Sequence, residues 1–159
     1  MSKFTIIQDT REKPEYKWQF PECDECLGTK AHKLDTGDYS IEGLEHLVAI
    51  ERKRCTGEIA QNMCEDRFKD VIARLSTFKY RYIICEFNYQ DILNFPIGSN
   101  IPKKYQHKIR ISANWMESYV LSLVSRHGIP VLFAGDADNG KRMAFSILKK
   151  IASYELNDV

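Results

Sequence analysis

Two short stretches of this sequence hold the carboxylate and amine groups most able to do chemistry. Glu51 and Lys53 end the segment VAIERK, in which an apolar run changes abruptly to charge. Residues two apart on a strand share a face, so these two side chains are expected to lie side by side. Asp38 follows Gly37 in TGDYS, at the start of the preceding strand. Because glycine permits a tight turn there, a hairpin would bring Asp38 near Glu51.

Two carboxylates and an amine in one place predict metal-assisted chemistry on a phosphate. The acids can hold a divalent cation, and the lysine can stand beside the reacting group. The bland alternative is that the charges at this strand end are solvated or paired, since an E-x-K triplet often occurs by chance. The order of Asp38, Glu51 and Lys53 is similar to that of the metal-dependent PD-(D/E)xK nucleases, with Gly37 in the place of the proline.

Composition sets broad limits on the function. The chain has 159 residues, a typical length for one domain, and its 43% hydrophobic and 28% charged residues are ordinary for a globular protein. No apolar run approaches the roughly 18 residues of a membrane span. The net charge is +1, so a nucleic-acid surface would be a local patch. The N-terminus lacks a signal core and the cysteines number five, so we expect a cytoplasmic protein with reduced thiols.

Hydrophobic patterns place these residues on an α/β framework. Predicted strands cover residues 3–8, 31–34, 38–41, 47–53, 80–87 and 129–135, and predicted helices cover 58–75, 112–128 and 139–154. The continuous β-forming run YRYIICEF is typical of a strand in mid-sheet that is covered on both faces. In the second helix, Ser112 or Asn114 is the expected N-cap, Gly128 the stop, and Trp115 and Tyr119 part of the packing face.

A wider set of matches resembles one nuclease family. DTRE at 9–12, GDY at 37–39 and IERK at 50–53 occur in that order, with a helix after them. This set resembles the XPF-type nuclease domain, whose signature is Gly-Asp, a variable gap and Glu-Arg-Lys. Arg67 and the strand that ends at Glu86 also match, and the similarity covers roughly residues 3–155. The family has three residues and an acid after its Glu-Arg-Lys, whereas four residues precede Glu58 here, so we infer one inserted residue and a longer acid.

The resemblance implies a restriction-endonuclease-like fold, with a central mixed sheet flanked by helices in a single domain at 1–159. It also implies an Mg²⁺-dependent DNA endonuclease, with Mn²⁺ as substitute, that cuts branched or structured DNA during repair, recombination or replication. The rival hypothesis is a catalytically silent DNA-binding module or partner subunit with the same fold. The sequence carries no helix-hairpin-helix module after the nuclease pattern, so the partners implied are DNA and either a second copy of the chain or a protein that supplies further DNA-binding elements.

The same resemblance implies a role for each candidate site residue. Asp38 and Glu51 are the expected metal ligands, with Asp9 reaching the site from an adjacent strand end and through a water. Lys53 is expected to be a charged partner of the attacking water and the scissile phosphate. Supporting roles fall to Arg11, Glu12, Arg52, Glu58 and Arg67. For Arg52 two alternatives stay open, which are an ion pair with an acid such as Glu86 and a contact with DNA.

The predicted DNA-binding residues are mostly in one basic stretch. The run IPKKYQHKIR has no acid and is expected to be a mobile loop between helices that binds phosphates, although exposed lysines are often only solubilising. The residues predicted to contact DNA are Arg54, Lys103, Lys104, Lys108 and Arg110.

Two other motifs have simpler explanations. GDADNGKR matches G-x-x-x-x-G-K, but Arg142 stands where a phosphate-binding loop needs Ser or Thr, so we expect a helix N-cap and no nucleotide cofactor. Cys23 and Cys26 form a lone C-x-x-C and are interpreted as loop thiols, with a zinc site completed by His32 and His46 as the alternative.

Overall fold

Six strands form one mixed sheet in the computed structural model, which describes residues 3–157. The strands are β1 (Phe4–Gln8), β2 (Cys26–Ala31), β3 (Tyr39–Ile41), β4 (Val48–Lys53), β5 (Tyr80–Cys85) and β6 (Val131–Phe133). The helices are α1 (Thr56–Met63), α2 (Asp66–Leu75), α3 (Tyr89–Leu93), α4 (Lys103–Gln106), α5 (Ala113–Ser125) and α6 (Ala137–Glu155). No helix among these residues is long and apolar enough to cross a membrane.

The strand directions bring the ends of several strands together along one edge of the sheet, the edge that runs across the strands from β2 to β6. The order is β2-β1-β3-β4-β5-β6, and β3 runs antiparallel to both of its neighbours, β1 and β4. The pairs β1/β2, β4/β5 and β5/β6 are parallel. The start of β3 therefore lies beside the ends of β1 and β4, with the end of β5 next to them. This edge is where the predicted carboxylates lie.

Helices cover both faces of the sheet. Val48 and Ile50 of β4 pack in one core layer against α6, together with Trp18 from the segment before β2. Ala49 points to the other face and packs in a second layer with side chains of α1, α2 and α5. Glu51, two residues after Ala49, therefore faces the α1 and α2 side.

Several predicted elements are confirmed, and β2 is a correction. β1, β3, β4 and the helix α5 lie where the hydrophobic pattern predicts them. The strand predicted over 31–34 is wrong, because β2 lies at Cys26–Ala31 and pairs with β1 in parallel. β2 is an edge strand in which Cys26 and Gly28 are buried and the other residues are exposed. Backbone pairing with β1 therefore holds it in place, and its sequence shows little apolar alternation.

The helix predicted over 58–75 is also wrong, since it is two helices. α1 ends at Met63, and Glu65 has an extended backbone before α2 begins at Asp66.

β5 is an interior strand between β4 and β6, whereas β3 and β4 occupy the middle of the order. The prediction that YRYIICEF forms an interior strand covered on both faces is confirmed, since its residues pack in both core layers.

The helix α5 confirms one detail of the prediction and corrects another. Ser112 is the N-cap, and its hydroxyl oxygen accepts a hydrogen bond from the Trp115 backbone N–H at 3.1 Å. The buried face is Met116, Val120 and Leu123, at i, i+4 and i+7. Trp115 is 59% exposed, so its predicted packing role is wrong.

The remaining motifs have defined places in the fold. Asp136 caps α6 by accepting a hydrogen bond from the Asn139 backbone N–H at 2.7 Å, which confirms the N-cap explanation of GDADNGKR. The basic stretch predicted as a loop contains the short helix α4. All five cysteines, which fall within the described part of the chain, have free thiols, and Cys26 is buried at the start of β2.

Candidate active site

Backbone hydrogen bonds fix the carboxylate-bearing segments to one another. The Asp9 N–H donates to the Asp38 carbonyl at 2.8 Å, and the Asp38 N–H donates to the Ile50 carbonyl at 2.7 Å. On the other side of β4, the Glu86 N–H donates to the Lys53 carbonyl at 2.8 Å. These bonds belong to the sheet edge, so the positions of the side chains follow from strand pairing and do not depend on a flexible loop.

A cleft of about 240 Å³ opens at this edge, between the strand ends and α2. Six of the predicted site residues line it: Asp9, Arg11, Asp38, Glu51, Lys53 and Arg67. Residues far apart in the sequence, from β1 to α2, are thus brought together as the spacing of the motifs predicts.

Asp38 is the most unusual group of the cleft. One of its oxygens, Oδ2, accepts the backbone N–H of Arg52 at 2.8 Å. Burial raises the pKa of the Asp38 carboxyl well above its ordinary value, and the negative charges of Glu51 and Glu12 raise that pKa further. No residue in the range 3–157 donates a hydrogen bond to Asp38 Oδ1 or to the Glu51 carboxylate. These oxygens remain available to a cation or a proton.

Asp9 is held from two sides. Its Oδ1 accepts the Leu34 backbone N–H at 2.8 Å, and its Oδ2 accepts Arg11 Nε at 2.6 Å. This pairing with Asp9 is the main reason that the pKa of Arg11 is raised. Within the described residues, no group of three or more His, Cys, Asp or Glu side chains is arranged to hold an ion. The water-mediated role of Asp9 stays a prediction.

Lys53 is a largely buried lysine, with 7% of its surface exposed. Its Nζ lies 4.8 Å from the ring centroid of Phe68 on α2, a cation–π contact. No acid of the chain between residues 3 and 157 forms an ion pair with it. Its ammonium group therefore faces the cleft without a neutralising partner.

Arg52 belongs to a buried network on the opposite face of β4. Its Nε lies 2.7 Å from Glu86 Oε1, and its Nη1 lies 3.3 Å from Glu12 Oε2. The guanidinium also stacks over the Trp18 ring at 4.6 Å from the centroid. The ion pair with Glu86, the first of the two alternatives from the sequence, is confirmed.

Glu12 joins this network to the aromatic core. The Tyr39 hydroxyl donates to Glu12 Oε2 at 3.2 Å and accepts the Trp18 backbone N–H at 2.9 Å. Burial raises the pKa of Glu12, while Arg52 and Tyr39 oppose that rise. Burial also raises the pKa of Tyr39 to about 12, so its hydroxyl remains a donor. The expected bracing role of Glu12 therefore has a structural basis.

The other predicted residues, among which Arg67 lines the cleft, are paired with neighbours or exposed. Glu58 Oε1 lies 2.8 Å from Arg54 Nε, so these two residues form an ion pair, and neither of them lines the cleft. Arg67, whose side chain is 82% exposed, pairs with Glu65 at 2.6 Å. The basic residues Lys103, Lys104, Lys108 and Arg110 are outside the cleft and largely exposed. Their segment begins beside α1, where the Ser99 carbonyl lies against Gly57.

Two polar helix residues of the cleft, Arg74 and Asn62, were missed in the sequence. Arg74 follows Arg67 by seven positions on α2 and also lines the cleft, where its Nε donates to Thr36 Oγ1 at 3.2 Å. Asn62 of α1 lines the cleft as well. The i, i+7 spacing of the two arginines is a helix-face signal that could have identified Arg74. Asn62, on α1, carries no such signal in the sequence.

The sheet order and the helices on both faces give a fold that is similar to that of XPF. The structure of XPF from Aeropyrum pernix is similar at a TM-score of 0.62 and 17% identity, and the match covers 97% of this chain and 67% of that one. XPF from Aeropyrum pernix in complex with DNA is similar at a TM-score of 0.64 and 18% identity, with 99% and 69% covered. No family model and no curated protein matches the sequence. The predicted fold is confirmed.

Proposed function

We propose that this protein is a metal-dependent endonuclease that hydrolyses phosphodiester bonds in DNA. The observation that carries the proposal is the convergence of Asp38, Glu51 and Lys53 in one cleft at the sheet edge. Two neighbouring carboxylates repel each other and would be stabilised by a bound cation. The ammonium group beside them has no acidic partner and can bind a phosphate.

The donor set fits a divalent cation. Burial and the nearby charge of Glu51 make the charged form of Asp38 unfavourable, and the raised pKa of Asp38 reflects this repulsion. Mg²⁺ and Mn²⁺ prefer such carboxylate oxygens. Asp38 and Glu51 would hold the ion, with Asp9 contributing through a water. When bound, the ion would neutralise phosphate charge and activate water for attack.

The side chains of the chain itself orient the substrate. Lys53, held by β4 and by the Phe68 ring, presents its ammonium group to the phosphate and to the attacking water. Arg11 is fixed by Asp9, while Arg67 and Arg74 line the α2 side of the cleft. These three guanidinium groups are placed to bind phosphates on either side of the bond that is cut.

DNA is the proposed substrate because one solved structure with this fold is a complex with DNA. We extend the proposal to branched or structured DNA, and to a role in repair, recombination or replication. A second copy of the chain, or another protein, would supply further DNA contacts.

One observation favours the alternative of a silent DNA-binding module. Both oxygens of Asp9 are engaged by Leu34 and Arg11, which leaves two acids rather than three to meet a cation. Such a module would bind the same DNA without cutting it.

Cleavage of labelled fork, flap, four-way-junction and plain duplex DNA, with Mg²⁺, Mn²⁺ or chelator, tests the proposal. Cleavage should require metal and fall at least about 100-fold in Asp38→Ala and in Lys53→Ala. Asp24→Ala and Lys150→Ala, which remove exposed charges elsewhere, should cut normally. Calorimetric titration with Mn²⁺ adds a readout without DNA, in which Asp38→Ala should lose binding. Binding of DNA without cleavage by the parent protein would favour the silent module, and cleavage by either site variant would reject the site.

A further inference from the structure

A second cleft, of about 390 Å³, adjoins the candidate active site. Arg11, Lys53, Asn62 and Arg67 line both clefts, so the two are continuous. Tyr16 belongs only to the second cleft, which we call the Tyr16 cleft. Its volume is in the range of pockets that hold small ligands, about 300–1,000 Å³.

The Tyr16 ring is exposed but firmly placed. It is 45% exposed, and the guanidinium of Arg54 stacks over it at 3.7 Å from the ring centroid. Glu58 holds that guanidinium by the ion pair described above. The Tyr16 backbone carbonyl accepts a hydrogen bond from Arg52 Nη1, which ties this segment to the buried network on β4. An aromatic ring and a planar cation are thus fixed beside the cleft.

The charge of the Tyr16 cleft favours an anion. Five cationic side chains and three acidic ones line it. Each of the three acids is paired with an arginine, namely Glu12 with Arg52, Glu58 with Arg54 and Glu65 with Arg67. Lys13 and Lys53 form no ion pair with any residue between 3 and 157. A ligand with a planar ring and a phosphate would complement both the stack and the surplus positive charge.

We propose that the Tyr16 cleft binds one unpaired nucleotide of a DNA strand, next to the bond that is cut. The base stacks on the pair formed by Tyr16 and Arg54, and its phosphate lies near Lys53, which lines both clefts and has no ion pair among the described residues. A base within a duplex has both faces covered by its neighbours, so only an unpaired nucleotide can stack in this way. The position beside the cut bond rests on the proposed function, but the stacking itself needs no cleavage.

The test uses a short single-stranded DNA with one 2-aminopurine, whose fluorescence is quenched on stacking, in the presence of chelator. The parent protein should quench the probe, and Tyr16→Phe should retain the quenching. Tyr16→Ala should lose it and weaken single-strand affinity about 5- to 100-fold, with little change for plain duplex. Arg54→Lys, which keeps the charge and loses the plane, should weaken single-strand binding in the same direction.

Tyr154→Ala is the matched control, because Tyr154 is 52% exposed and lies near the end of α6, at the opposite edge of the sheet. It should bind as the parent does. Equal losses for single-stranded and duplex DNA, unchanged binding by Tyr16→Ala, or an equal loss in Tyr154→Ala would overturn the proposal. Failure here with metal-dependent cleavage intact would leave the endonuclease standing. Stacking without any cleavage would leave the nucleotide site on a silent module.

Discussion

Two neighbouring residues of β4 have different roles, one in the candidate active site and the other in the stability of the fold. Glu51 faces the cleft with no partner for its carboxylate among the described residues, while Arg52 turns to the other face and is 7% exposed. The alternation of a strand is enough to produce this division. The Glu-Arg-Lys triplet therefore combines a candidate ligand, a structural cation and a candidate catalytic lysine.

Arg52→Met tests the structural role at the residue scale. The change leaves the buried carboxylate of Glu86 without its cation, so the free energy of unfolding should fall by about 3–5 kcal/mol in urea titrations. Lys30→Met breaks an exposed pair with Glu42 at 2.8 Å and should have little effect. Equal stability of the two variants would contradict the buried network.

Asp38→Asn tests the repulsion in the metal-free site. Because the pKa of Asp38 is raised in the native state, its deprotonation destabilises the fold as the pH rises from the ordinary value of 3.8 through the raised pKa. The asparagine keeps an acceptor for the Arg52 N–H and carries no charge. In chelator the variant should melt higher than the parent at pH 8, by about 2–4 °C for each kcal/mol relieved.

That gain should disappear below about pH 3, where the parent Asp38 is protonated in both the native and the unfolded state. Added Mn²⁺ should stabilise the parent and leave Asp38→Asn nearly unchanged. A lower melting temperature for the variant at pH 8 in chelator would show that Asp38 is not destabilising when charged.

At the scale of the elements, the turn into β3 controls where Asp38 lies. Gly37 has φ of +85°, and an added Cβ would lie 3.2 Å from both Ala49 Cβ and the Ile50 carbonyl oxygen. Residues other than glycine rarely adopt this backbone conformation. A side chain at this position would push β3 away from β4, and Asp38 would be displaced with β3.

Gly37→Ala should therefore lose more stability than Gly43→Ala. Gly43 has a similar φ of +84° and nothing within 4 Å of its added Cβ, so that control measures backbone strain alone, about 1–2 kcal/mol. The Gly37 variant should show a larger loss in urea and an Mn²⁺ affinity reduced at least about 10-fold, since Asp38 is displaced. Equal losses of stability in the two variants, with unchanged Mn²⁺ affinity, would show that the turn at Gly37 does not determine the position of Asp38.

The elements also show what the sequence can and cannot predict. β4 and the Gly-Asp turn are predictable because an apolar run and a glycine are local signals. β2 is not, because an exposed edge strand has little apolar alternation. The break at Glu65 is hidden because the apolar spacing continues from α1 into α2. The Tyr16 cleft joins residues from four separate segments, and no local pattern reports such a meeting.

At the scale of the whole molecule, the net charge of +1 gives little long-range attraction for DNA. Local placement of the cations must then provide the affinity. The basic segment starts against α1, and α1 follows the end of β4, so Lys103, Lys104 and Lys108 lie towards the same sheet edge as the cleft. Lys3, Arg126 and Lys150 are exposed near the opposite edge, before β1 and towards the ends of α5 and α6.

Two triple variants with equal charge changes separate local from global attraction. Replacing Lys103, Lys104 and Lys108 by Gln should weaken DNA binding and make its salt dependence less steep. Each phosphate contact contributes about −0.9 to the slope of log K against log salt concentration, so the slope should become less negative by about 2–3. The same replacements at Lys3, Arg126 and Lys150 should leave the slope nearly unchanged, because those side chains contact no phosphate. Anisotropy titrations between 50 and 200 mM salt, in the range where such slopes are measured, would give both values. Equal slopes for the two variants would mean that the basic segment only keeps the protein soluble.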